Sequence, residues 1–326
     1  SGRTDTSLSS LVPDRYCLIR IRAAVGPPFF VQVLSRLSPI FVDKAASDFE
    51  PASMYTHATD AGWISRTHRA IAPFRLQRPS TPAEAVAALT GTPDASIIAG
   101  GIDLIRRMRS GDTAGTLINL SALPTLRGIE DRGDFIRVGA LATHWDVETS
   151  PLLATRLAAF QAAWTTIGNV RIRMTGTVGG NLMAAERAYD GPVLLGVIGA
   201  KLIFLTDAGE ISLPALSAHQ DYPDRALLTA IDIPVSMTAR LSFDRSLKPV
   251  VSVAVGLDGG VVSVGVGCAH TTPFFWSGLI DDMEDALSAA LPDPIDNPMG
   301  GAAYRRRMVG VLSRRLVDRL RRGDAS

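Results

Sequence analysis

The chain has 326 residues, 46% of them hydrophobic and 20% charged, enough for two packed domains and too apolar for a largely disordered protein. Lysine and arginine total 33 against 32 acidic residues, so no global field draws it to nucleic acid or an anionic membrane. Two cysteines, Cys17 and Cys268, are too few for an iron–sulfur cluster or a thiolate zinc site, and no metal site is expected in this chain. Sparse cysteine suits a reducing cytoplasm, and no apolar run reaches the roughly 18 residues that span a bilayer.

Residues 1–70 carry Pro13, Pro27, Pro28, Pro39 and Pro51 among broken apolar patches and read as a mostly irregular extension. Regular signals begin near Pro73. Thr81 is an N-cap with Pro82 at the first helical position and Glu84 reaching back, which predicts a helix to Leu89 stopped at Gly91. Ser96–Ala99 is a buried strand, Gly100-Gly101 turns it into a helix near Asp103, and Thr116–Leu120 is a second strand, together a small β-α-β unit. A hairpin follows over Gly128–Leu141, then one long helix over Leu152–Ile167 whose Leu153, Leu157, Phe160 and Trp164 read as core. Val193–Ala200 and a hairpin at Asp207-Ala208-Gly209 close a first domain over 71–220. From 221 onward, strands at Ala226–Ile233, Ala239–Phe243, Val250–Leu257 and Val261–Cys268, then helices at about 278–291 and 301–321, predict a separate α+β domain over 221–326.

Two glycine-rich turns carry the chemistry: Ala99-Gly100-Gly101-Ile102-Asp103 and Thr177-Val178-Gly179-Gly180-Asn181. Glycine lets backbone N–H groups converge on a diphosphate and tolerates positive φ, and the first turn gains from the helix that it opens. Each turn alone is weak evidence, since most Gly-Gly pairs are structural; the two together, with Asp190 soon after the second, are stronger. Neither turn fits G-x-G-x-x-G, and Gly265-Val266-Gly267 reads as a strand end. Arg171 and Arg173 fit either a phosphate or a structural ion pair. His144 either faces the adenine side of a bound cofactor or, the reading preferred, is a solvated residue at a helix start. Arg305-Arg306-Arg307 and Arg314-Arg315 read as a solvated basic face or a docking surface for an acidic partner. No Ser/His/Asp or Cys/His order suits a nucleophile, so no catalytic side chain is expected.

These motifs, with Pro73-Phe74, Gly139-Ala140 and Thr166-Ile167-Gly168 through Ile172-Arg173, resemble the FAD-binding subunits of the molybdenum hydroxylases, among them the flavin subunits of bacterial carbon monoxide dehydrogenase and xanthine dehydrogenase. The resemblance covers about residues 73–270. It implies an α+β fold: a two-subdomain FAD-binding domain of the PCMH type, then a smaller α+β C-terminal domain covering the flavin. It also implies that Ala99, Gly100, Gly101, Ile102 and Asp103 bind the diphosphate together with Thr177, Val178, Gly179, Gly180 and Asn181. Asp190 and Lys248 match family positions near the cofactor. The expected cofactor here is FAD, with molybdopterin and iron–sulfur clusters in a large and a small partner subunit of a cytoplasmic hetero-oligomer. Met174 replaces the usual asparagine before the second turn, and Glu186-Arg187 replaces a small residue and proline before Asp190. Those changes alter charge beside the cofactor. A self-contained FAD oxidase of the vanillyl-alcohol-oxidase type and a flavin-free scaffold subunit are the rival readings.

Overall fold

The computed structural model describes residues 71–217, 221–235, 240–246 and 250–323. The expected extension over 1–70 and Lys248 lie outside the described residues. Three sheets follow one another. The first is parallel, with β1 (Arg75–Gln77) and β2 (Ala95–Ile98) flanking β3 (Thr116–Asn119). Its helices are α1 (Pro82–Gly91) and α2 (Ile102–Arg109). α1 starts as expected, its Thr81 hydroxyl accepting from the Glu84 N–H while Glu84 takes the Ser80 N–H and hydroxyl. β1 adds a third strand to the expected unit: three residues are too few to show periodicity in sequence.

The second sheet has the order β4–β5–β8–β6–β7, all neighbours antiparallel, from β4 (Ile129–Asp131), β5 (Phe135–Gly139), β6 (Lys201–Thr206), β7 (Gly209–Pro214) and β8 (Leu227–Pro234). This corrects the assignment of the Ala226–Ile233 strand to the C-terminal domain, because β8 lies between β5 and β6. Arg137 on β5 stands opposite Asp232 on β8 and donates to both carboxylate oxygens at 2.7 Å, which pins that register. After α3 (His144–Thr149), the single helix expected over Leu152–Ile167 is two short ones, α4 (Pro151–Arg156) and α5 (Ala158–Trp164). Pro151 starts α4 with Ser150 as its cap, and the chain leaves helical geometry at Leu157, φ −139°. The core residues face inward as expected: Leu153, Leu157, Phe160 and Trp164 are all buried.

After α6 (Val170–Thr175), α7 (Val178–Met183) and α8 (Gly191–Val197), the chain passes through the second sheet and enters the third. The third sheet runs β9 (Leu241–Arg245), β10 (Ser252–Asp258), β11 (Val261–Gly267) and β12 (Phe274–Leu279), antiparallel in the order β12–β11–β10–β9. Two further helices, α9 (Met283–Ala290) and α10 (Ala302–Arg322), complete the chain. The alternation of valine with small residues has a direct cause. Val262, Val264 and Val266 pack with Val309, Leu312 and Leu316 of α10. Gly265 and Gly267 turn the other way, where a β-carbon would stand 2.7 and 2.8 Å from Val197 and Val193 of α8. Glycine there admits the helix to the sheet.

Arg305 is not on a solvated face, as its charge suggests, but 1% exposed. Its guanidinium donates to the carbonyls of Val250, Cys268 and Gly300 and to Asn297 Oδ1, gathering the start of β10 and the end of β11 under α10. Replacing it leaves buried carbonyls without donors, so Arg305→Met should cost about 2–4 kcal/mol. Urea denaturation measures this, and a loss under 0.5 kcal/mol, of the order of an ordinary surface change, would contradict it.

Candidate functional site

Both glycine turns line one cavity of about 820 Å³, together with Asp190, Tyr189, His144 and Arg245. Of the residues expected at the site, Ala99 to Asp103, Thr177, Gly179, Gly180, Asn181 and Asp190 all border it; Val178 is buried behind the turn. The first turn leaves β2 and enters α2 through Gly101, whose φ of 75° a glycine takes without strain. Gly100 is required for another reason. A β-carbon there would stand 2.0 Å from the carbonyl oxygen of Thr175, so the backbones of the two glycine segments are in contact.

The two turns differ in what they offer a ligand. At the first, the N–H groups of Gly101, Ile102, Asp103 and Leu104 meet no acceptor among the described residues, and they sit at the positive end of α2. At the second, the N–H groups from Val178 to Asn181 are spent. Val178 donates to Ala142 O at 2.9 Å, Gly179 to Ala140 O at 2.8 Å, Asn181 to Thr177 O at 2.9 Å, and Gly180 to the Thr177 hydroxyl at 3.1 Å. Of the backbone donors expected from both turns, those from Val178 to Asn181 are thus taken up within the chain, and the second turn has chiefly its Thr177 and Asn181 side chains to offer. The Thr177 hydroxyl keeps its own hydrogen, and Asn181 Oδ1 is buried without a partner.

The Asp103 carboxylate is also engaged, paired with Arg106 at 2.5 Å and Arg107 at 2.9 Å and accepting from the Tyr189 hydroxyl at 3.1 Å. Its backbone, not its side chain, faces an anion. Burial, with Asp103 next, pushes the Tyr189 hydroxyl up to about 12, so it remains a donor. The departure Glu186 lies 3.6 Å from Arg106, which ties the segment before Asp190 to α2.

Asp190 is 2% exposed, and its Oδ2 accepts from Arg245 Nη1 at 2.7 Å while Oδ1 has no partner. Burial raises its pKa, and Arg245 works against that. Arg245 Nη2 donates to Thr166 O at 2.9 Å. Sequence reading missed Arg245 because its meaning lies in a contact across 55 residues. Arg225 was missed too: it donates to the carbonyls of Leu89 in the last turn of α1 and of Thr92 and Pro93 just beyond it, fixing the loop where Tyr222 to Leu227 border the cavity.

Arg173 forms the ion pair weighed for it, with Glu148 at 2.6 Å, and also donates to Gly168 O. His144 is buried, which corrects the solvated reading: it packs on Trp164 with ring centroids 5.5 Å apart, and Nδ1 has no partner. Burial, then the Arg173 charge, lowers its pKa to about 4. Above pH 6.5 the imidazole is neutral folded and unfolded. As pH falls from 6.5 to about 4 the unfolded chain takes up a proton that the folded one refuses, removing about 3 kcal/mol of stability. His144→Phe should flatten that part of the stability profile measured by denaturation against pH; an unchanged slope would contradict the assignment.

Residues 72–236 match the family described as the FAD binding domain in molybdopterin dehydrogenase. Over 277 residues the chain is 30% identical to the carbon monoxide dehydrogenase medium chain of Afipia carboxidovorans, spanning 76% of this chain and 96% of that one. It is 26% identical over 273 residues to the glyceraldehyde dehydrogenase medium chain of Sulfolobus acidocaldarius, spanning 74% and 95%. Among solved structures, a chain of reconstituted CO dehydrogenase from Oligotropha carboxidovorans matches with a TM-score of 0.71 at 29% identity, over 77% of this chain and 98% of that one. The match covers the expected α+β fold, and no helix among the described residues is long and apolar enough to cross a membrane. The chain belongs to the family of FAD-binding domains of molybdopterin dehydrogenases.

Proposed function

We propose that this chain is the flavin subunit of a multi-subunit, cytoplasmic molybdenum-containing dehydrogenase, taking electrons from iron–sulfur centres of a small subunit and passing them to a terminal acceptor. The observation that carries this reading is the row of unpartnered N–H groups from Gly101 to Leu104, which open α2 onto the cavity that both turns share. That arrangement fits a diphosphate, and the cavity volume fits the rest of a dinucleotide.

In this reading Ala99 to Asp103 hold the diphosphate through the backbone, and Thr177 and Asn181 close over it with a hydroxyl and an amide. Val178, Gly179 and Gly180 form the turn that places those side chains. Lys248 is kept as a candidate near the cofactor. Bound FAD supplies storage for two electrons that arrive singly from the iron–sulfur centres, and no side chain of this chain needs to act as general base. The relatives bear names as different as carbon monoxide dehydrogenase, glyceraldehyde dehydrogenase and nicotine 6-hydroxylase. That a similar chain occurs under such different names supports the reading that substrate selection belongs to the molybdopterin-bearing large subunit.

The purified chain should carry about one FAD and its yellow absorbance, and should show no turnover of aldehydes, N-heterocycles or carbon monoxide until the partner subunits are co-expressed. Robust turnover by the chain alone would overturn the subunit reading in favour of a self-contained oxidase. Gly100→Val should lose FAD, because any β-carbon collides with the Thr175 carbonyl and separates the turns. Wild-type FAD affinity in a folded Gly100→Val chain, measured by titration, would contradict the convergence of the turns on one ligand.

A further inference from the structure

We infer that Arg245 is a cofactor-contacting residue and that Asp190 is a positioning residue acting through it, a division of roles that rests on the flavin reading above. Asp190 borders the cavity but is 2% exposed and pairs with the guanidinium through Oδ2, so its negative charge is countered there. Arg245 is the more open of the two. Its side chain is 37% exposed, it lines the cavity, and the bonds to Asp190 Oδ2 and Thr166 O leave Nε–H and one hydrogen on each terminal nitrogen unspent.

The position identifies the part of the ligand. The unpartnered N–H groups at the start of α2 serve the diphosphate. Arg245 comes instead from the end of β9 and is anchored on Thr166, whose neighbour Ile167 lines the cavity, as do the apolar Ile172 and Met183. An apolar wall with one fixed cation at its edge fits the isoalloxazine, a flat ring whose pyrimidine edge bears two carbonyl oxygens and gains negative charge on reduction. Asp190 and Thr166 each take one terminal nitrogen, so the planar fork is fixed against that edge. The cation favours reduced over oxidised FAD, and Asp190, as its counter-charge, moderates the preference.

A purely structural ion pair would act differently, and opposed signs separate the two. Affinities for oxidised FAD, and for reduced FAD under anaerobic conditions, are measured on the full chain for Arg245→Met, Asp190→Asn and the double variant, with thermal unfolding alongside. Arg245→Met should weaken oxidised FAD on the order of tenfold and reduced FAD by more. Asp190→Asn should move the ratio of the two affinities the opposite way, towards reduced FAD. Since Arg245→Met strands a buried carboxylate and can unfold the chain for that reason alone, the double variant is the deciding case. It leaves no buried charge, and it should regain thermal stability while FAD stays weak. A double variant with wild-type affinity for both forms, or single variants that shift the ratio in the same direction, would overturn the assignment. A wild-type chain that binds no FAD would overturn the flavin reading, and this inference with it.

Discussion

The carbonyl of Thr175 lies so near Gly100 that no side chain fits between them, and the functional cavity is built around that contact. It joins the parallel β-α unit of the first turn to the helical segment of the second, residues far apart in sequence that meet backbone to backbone. The approach repeats behind the second turn, where a β-carbon on Gly179 would stand 2.8 Å from Ala140 O. Both turns are thus fixed by close packing before any ligand is considered. Their N–H groups then divide into a free set at Gly101 to Leu104 and a spent set at Val178 to Asn181. The free set costs little in a hydrated cavity and is stabilised when an anion accepts from it.

The C-terminal sheet serves the cavity by being two-faced. Its valines pack with α10 and its glycines admit α8, so the strand ends are held against the segment that carries Glu186 to Asp190. Buried Arg305 gathers the carbonyls of Val250 and Cys268, and Cys268 N–H in turn donates to Arg187 O. Arg245, from the same sheet, meets Asp190 directly. Among the described residues the polar links between this sheet and the cavity segment include the Cys268–Arg187 bond at 3.2 Å and the Arg245–Asp190 pair at 2.7 Å, each with one buried partner. Links of that kind transmit position better than they add stability, because desolvating the charges offsets most of their attraction.

Local chemistry made much of this legible. Thr81-Pro82 marked a helix start, Asp207-Ala208-Gly209 a hairpin, and the two glycine turns the cavity, because each signal is complete within a few residues. What sequence could not show depends on distant partners. The place of Leu227–Pro234 within the second sheet is set by Arg137 across 95 residues. Arg305 read as surface charge and Arg245 carried no local signal, because each is defined by acceptors far along the chain. His144 shows the limit most clearly: the capping box of Thr143 and Asp146 was there to read, yet the burial of the ring follows from Trp164 and Gly176. The roles of the two turns could not be divided either, since the acceptors at Ala140 and Ala142 that occupy the second lie on a separate stretch of chain.

Amide hydrogen exchange, followed with and without FAD, tests the central claim most directly, because it reads the individual N–H groups that the cavity leaves open. The amides of Gly101 to Leu104 should exchange readily in the cofactor-free chain and become protected when FAD binds, whereas those of Val178 to Asn181 should be protected throughout and change little. Protection gained only at Val178 to Asn181, with the first turn still exchanging freely, would contradict the account.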